Sequence, residues 1–157
     1  VGLADRLIAD WKEAGRIATT EPAGQAPVEL PTESEIERRM RRLKQVCRSA
    51  GVKLTHQRQE IFREVARTGD HPDAETVYRG VRRRIPTMSL DTVYRTLATL
   101  QDHGVISRVE VLDDRSRFDA NLEAHHHFVC TECRKVIDLY WPQLEALYAA
   151  YRTRLQG

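Results

Sequence analysis

The stretch SLDTVYRTLATLQDHGVISRVEVL, residues 89–112, changes period part-way along. In its first half Val93, Leu97 and Leu100 recur every three or four residues, as on a helix with one buried face. Ser89 is suited to cap the start of that helix, and Gly104 marks its end. From Val105 onward apolar and polar residues alternate, which fits a half-buried strand. A second alternating run, RSRFDA at 115–120, follows a turn at Asp113–Asp114, so the two runs read as a hairpin.

Working upstream, three more helices precede this one. Ile36, Met40, Leu43, Val46 and Ala50 keep helical spacing, and Gly51 ends their run. Thr55 caps a second helix carrying Ile61, Phe62 and Val65. Asp73 opens a third with Ala74, Val77, Tyr78 and Val81, and Pro86 breaks the chain before Ser89. Short helices followed by a hairpin are the pattern of a winged helix-turn-helix. Downstream, strand patterns resume around HHHFVC and KVIDLY, and PQLEALYAAYRTRL reads as a last helix with Leu144, Leu147, Tyr148 and Tyr151 on one side. Residues 3–17 are an amphipathic helix candidate built on Leu3, Leu7, Ile8 and Trp11, and residues 19–34 read as a linker. The expected fold is α+β, an N-terminal winged helix-turn-helix followed by a small α/β dimerisation domain. The expected division is an extension over 1–34, the DNA-binding domain over 35–117 and a metal-binding dimerisation domain over 118–157.

Composition narrows the function. No run approaches the roughly 18 apolar residues of a membrane span, and Asp5, Arg6 and Asp10 argue against a secretory signal at the N-terminus. Three cysteines, with Cys47 isolated, do not make a secreted disulfide framework, so a cytoplasmic protein is expected. The net charge of +2 conceals an asymmetry. Residues 36–117 hold 18 Lys+Arg and 11 Asp+Glu, a net of +7, and the remaining 7 and 12 give −5. A basic middle beside an acidic remainder suggests a nucleic-acid-facing lobe next to one with another task.

Two sites follow. On the helix opened by Ser89, Val93, Leu97 and Leu100 face inward and Tyr94, Arg95 and Thr99 are left outside, as on a helix that reads a major groove. Residues 36–67, with ten basic and three acidic side chains, suit the phosphate backbone. The other site lies in EAHHHFVCTEC, residues 123–133. Strand alternation sends His125 and His127 to one face and His126 to the other, so the first two converge on one ion. Asp119 and Asp138 could complete a mixed nitrogen and oxygen shell suited to Fe(II), Mn(II) or Zn(II). Cys130 and Cys133 supply two thiolates, whereas a closed structural zinc site needs four ligands. Cys47, on or beside the apolar stripe of its helix, is expected in the core.

Taken in order, GVKLTHQRQEIF, HPDAETVYRGVRRRIPTMSLDTVYRTLATLQDHGVI, RFD and HHHFVCTECRKVIDL closely resemble the ferric uptake regulator family of metal-dependent repressors, from about residue 36 to the end. The resemblance implies a regulatory metal site at His71, Asp119, His125, His127 and Asp138, holding Fe(II) or Mn(II). It implies half of a zinc site at Cys130 and Cys133, completed if a second Cys-x-x-Cys exists. None is present before TRLQG, so the chain is expected to be incomplete at that end. It also implies DNA contacts by Tyr94 and Arg95, and by Lys53 toward the minor groove, with Arg58, Ser89 and Thr92 on the same expected surface. The partners implied are palindromic operator DNA and a second copy of the chain, with no membrane and no small-molecule substrate beyond the metal ion and hydrogen peroxide. Iron sensors of the family commonly carry Glu where this chain has Asp119 and Asp138, and peroxide sensors carry Asp at both. The expected function is therefore a peroxide-responsive repressor without catalytic turnover, acting through iron-catalysed oxidation of His71 or His125. An iron-, zinc- or manganese-sensing repressor is the alternative. A metalloenzyme is more distant, since the chain has no HExxH or nucleophile motif and a basic lobe would have no purpose in it. A metal buffer or zinc-knuckle interaction module is another distant rival, separated from a repressor by a salt-sensitive, sequence-specific DNA shift.

Overall fold

The computed structural model describes residues 30–111, 115–129, 134 and 136–139. Among the described residues four helices come first: α1 (Glu33–Ser49), α2 (His56–Arg67), α3 (Ala74–Arg82) and α4 (Leu90–Asp102). Two antiparallel pairs follow, β1 (Ser107–Val109) with β2 (Arg117–Asp119), and β3 (His126–Val129) with β4 (Val136–Leu139). The architecture is α+β, a winged helix-turn-helix whose wing is the first hairpin.

The caps expected at Thr55, Asp73 and Ser89 each accept a hydrogen bond from the backbone N–H three residues on. The first helix starts earlier than its apolar stripe indicates. Thr32 and Glu35 form a reciprocal capping box, which draws Glu33 and Ser34 out of the expected linker and into α1. Gly51 adopts φ +67° just beyond α1, where a side chain would be strained. Strand β2 runs across the expected boundary between residues 117 and 118, and Asp119 is its last residue. The Asp113–Asp114 turn, the 3–17 helix, most of the linker and the final helix fall outside the described residues.

A single apolar core joins the four helices to the wing. Leu43, Ile61, Phe62, Val65, Val77, Val81, Val93, Leu97 and Leu100 are almost fully buried, with Val105, Ile106 and Phe118 closing it from the hairpin side. Truncating one of these large side chains to Ala typically costs about 2–5 kcal/mol. Cys47 belongs to this core, and burial pushes its thiol pKa up, which makes it unreactive.

The α2–α3 contact contains a polar lock. Glu60 and Glu64 are buried on α2 and share Arg84, whose Nε lies 2.6 Å from Glu60 and Nη2 2.8 Å from Glu64. Arg63 and Arg67 pair with the same two carboxylates. Gly80 on α3 makes the approach possible, because a Cβ there would sit 2.1 Å from Glu64 Oε1.

Candidate metal centre

Four separate segments deliver the five groups expected to bind metal. His71 lies in the loop between α2 and α3 and has φ +47°, a conformation uncommon for a non-glycine residue. The loop is fastened to the wing, where Phe118 N–H donates to the Pro72 carbonyl at 3.1 Å and Asp73 bridges to Arg117. His71 is thereby laid beside Asp119 at the end of β2. In the second hairpin His127 pairs directly across from Asp138. His125, two residues before His127, falls on the same face, as strand alternation requires.

The donor atoms converge. His71 Nε2 lies 2.8 Å from Asp138 Oδ1 and 3.6 Å from Asp119 Oδ2. His125 Nε2 is 2.9 Å from Asp119 Oδ2 and 3.0 Å from His127 Nε2, which is itself 3.3 Å from Asp119 Oδ2. One donor atom from each of the five residues lies within 4.8 Å of all the others. Nitrogen and oxygen ligands about 2.1 Å from a common ion stand about 3.0–3.4 Å apart when adjacent and about 4.2 Å apart when opposite, so the donors lie close to the spacing of a shared coordination sphere. The hydrogen bonding supports the same fit. His71 Nε2 and Asp138 Oδ1 are buried and close, yet no well-aligned hydrogen bond joins them. A cation between them would satisfy both.

Supporting hydrogen bonds orient the donors. Asp119 Oδ1 accepts the Asn121 backbone N–H at 2.7 Å, leaving Oδ2 toward the three imidazoles. His125 Nδ1 is 2.6 Å from the Glu123 carbonyl, which can only accept, so Nδ1 carries the proton and Nε2 presents its lone pair inward. Burial opposes charge on His71, but Asp119 and Asp138 outweigh it and push the pKa up to about 9. Burial would raise the pKa of Asp119, yet His127, His71 and the Asn121 N–H hold it well below the carboxylate range. Asp138 is also lowered, because His71 more than offsets its burial. The pocket is built for positive charge between two carboxylates, and without metal the proton on His71 supplies it.

The expected DNA-contacting residues lie on α1–α2 and the start of α4. Tyr94 is half exposed and Arg95 lies outside, 3.6 Å from Asp91. Ser89 and Thr92 are engaged in the α4 cap. Lys53 is exposed, and its carbonyl accepts from the Arg58 guanidinium. Thr99 is only partly exposed and turns its hydroxyl to the Arg95 carbonyl. Cys130 and Cys133 lie outside the described residues. Sequence reasoning missed Asn121 and Glu123 as supports of the site. The Asp119-x-Asn121 spacing, typical of side-chain-to-backbone turns, was the available signal.

A profile of the ferric uptake regulator family matches residues 49–154. The chain is 37% identical over 98 residues to the peroxide-responsive repressor PerR of Staphylococcus epidermidis, covering 62% of this chain and 65% of that protein. Among solved structures it is similar to the ferric uptake regulator of Helicobacter pylori, described as having three functional metal binding sites. There the TM-score is 0.67 and the identity 28%, over 78% of this chain and 82% of that one. The ferric uptake regulator of Pseudomonas aeruginosa with manganese gives a TM-score of 0.62 and 29% identity, over 71% and 85% of the two chains. The chain spans 65–68% of the length of the curated relatives it matches first.

Proposed function

The chain belongs to the ferric uptake regulator family, and from that membership we propose that it is a metal-dependent, DNA-binding transcriptional repressor of the cytoplasm, without catalytic turnover. The observation that carries the reading is the origin of the donor set. His71 and Asp119 come from the winged helix, and His125, His127 and Asp138 come from the hairpin that follows it. An ion held by all five ties the two lobes together and fixes where α4 points.

The repressor acts as a homodimer on a palindromic operator, with the two winged helices set about one helical turn apart. Tyr94 and Arg95 read bases in the major groove, Lys53 reaches toward the minor groove, and Arg58, Ser89 and Thr92 position the helix on the backbone. Cys130 and Cys133 contribute to a Zn(II) site when a second cysteine pair is available. Metal-free His71 holds a proton between two carboxylates, so loading the site requires that proton to leave.

Within the family the peroxide-responsive branch is favoured, on the two aspartates and on similarity to the staphylococcal repressor. Fe(II) in the site supplies the redox chemistry with peroxide, and His71 or His125 is the residue expected to be oxidised. Loss of one imidazole donor then releases the lobes. A manganese- or iron-sensing repressor is the second reading, favoured by likeness to the Pseudomonas regulator with manganese.

Two measurements test this. Mn(II)-loaded protein should shift a selected DNA duplex, and His71→Ala should abolish the metal-dependent shift while keeping the helical circular dichroism signal. Wild-type affinity in that variant would remove the five-residue site. Anaerobic Fe(II) loading followed by a slight excess of hydrogen peroxide should add one oxygen to the peptide carrying His71 or His125, with no change in a Mn(II) control. Unmodified histidines in both samples would place the protein in the metal-sensing branch.

A further inference from the structure

Helix α1 contributes no donor to the metal centre, yet it contacts the end of α2 that leads to His71 and the loop that leads to His125. Arg39 Nη1 donates to the Ala66 carbonyl at 2.8 Å, in the last turn of α2 and five residues before His71. The neighbouring Arg38 pairs with Glu123 at 2.9 Å, two residues before His125.

Glu123 is the junction. Its N–H donates to Asn121 Oδ1 at 3.3 Å, and Asn121 N–H in turn donates to Asp119. Its carbonyl fixes the tautomer of His125. Its carboxylate reaches across to α1. One residue thus connects to two of the five donors through its backbone and to the DNA-binding lobe through its side chain. The C-terminal end of α1 leads, through the Gly51 turn, to Lys53.

We propose that Arg38 and Glu123 are positioning residues that couple metal occupancy to the placement of α1, and through it to the placement of Lys53 on DNA. The proposal rests on the repressor reading for its DNA half and on geometry alone for its metal half. Both side chains are about 60% exposed, so the pair adds little to overall stability. Its effect is conformational: with the pair closed, the 119–125 loop presents Asp119 and His125 together. Coupling is reciprocal, so a duplex that favours the closed arrangement tightens metal binding by the same factor.

The test compares wild type with Arg38→Glu, Glu123→Arg and the charge-swapped double variant. Mn(II) affinity is measured without DNA, and duplex affinity with and without Mn(II), using a duplex selected from random sequence by Mn(II)-loaded wild type. Each single reversal should weaken Mn(II) binding about fivefold, between the effect of an exposed ion pair and that of a ligand-orienting support. It should also cut the gain in duplex affinity on adding Mn(II), while the metal-free melting temperature stays within about 2 °C of wild type. The double variant should recover both. Unchanged Mn(II) affinity in both single variants would overturn the proposal. So would a double variant no better than the singles, or an Arg38→Glu defect seen only in DNA binding, which would mark Arg38 as a phosphate contact. If wild type selects no duplex, the repressor reading falls, and the Mn(II) affinities still decide whether the pair positions the donors.

Discussion

At the scale of single residues, the candidate metal centre turns on where His71 keeps its proton. Its folded pKa of about 9 is above the ordinary 6.5. Its contribution to metal-free stability is therefore complete below about pH 6.5 and disappears as pH rises through about 9. Asp119 and Asp138 are shifted downward, so theirs is complete above the ordinary carboxylate range and is lost as pH falls through their lowered values. Metal competes with the His71 proton. Mn(II) affinity should rise about tenfold per pH unit from pH 7 toward 9, with close to one proton released per ion. Calorimetry in two buffers of different ionisation enthalpy would measure that release, and a flat affinity profile would contradict a protonated His71. The alternation of His125 and His127, and the carboxylates near them, were legible in the sequence because strand geometry is local. His71 entered only through resemblance to a family. Its place beside Asp119 depends on a positive φ and on a hydrogen bond from Phe118 to Pro72, 46 residues apart, and no local pattern encodes such a contact.

At the scale of elements, the helices were legible because their caps and apolar stripes agree. Thr55, Asp73 and Ser89 end the search for three N-termini at once. The start of α1 was equally readable from Thr32 and Glu35, but the apolar stripe begins four residues later and drew the boundary with it. What periodicity could not reveal is how α2 meets α3. Glu60 and Glu64 look like solvent-facing charges in sequence, and the fold buries both against Arg84. Arg84→Met should lower stability by about 2–4 kcal/mol, because two buried carboxylates lose their shared partner. Thermal or urea unfolding of the metal-free protein would measure it. A loss under about 0.5 kcal/mol would mean that Arg63 and Arg67 suffice to neutralise the pair.

For the whole molecule, the charge asymmetry predicts how DNA binding responds to salt. Residues 36–117 carry a net +7, and the neutralised glutamates of α2 leave the basic surface of α1 and α2 less opposed than its composition suggests. Duplex affinity should fall linearly on a log–log plot against salt, and Lys53→Ala should reduce the slope by about one per protomer. An unaltered slope would remove Lys53 from the DNA contacts. The winged-helix half of this organisation was visible as a change of period. The second lobe was visible as strands, ligands and a last helix, but its partner surfaces are not encoded by spacing along one chain.

The five donors are not equally sheltered. His71 and Asp119 are 4% and 6% exposed, whereas the side chains of His127 and Asp138 remain 23% and 27% open. An ion entering from solvent would meet the open pair first and the sheltered pair last. Departure would run in reverse, so the residence time would depend on how readily the sheltered donors open as well as on bond strength. A centre arranged this way would exchange its ion more slowly than an open one. Its occupancy would then average over brief fluctuations in metal supply.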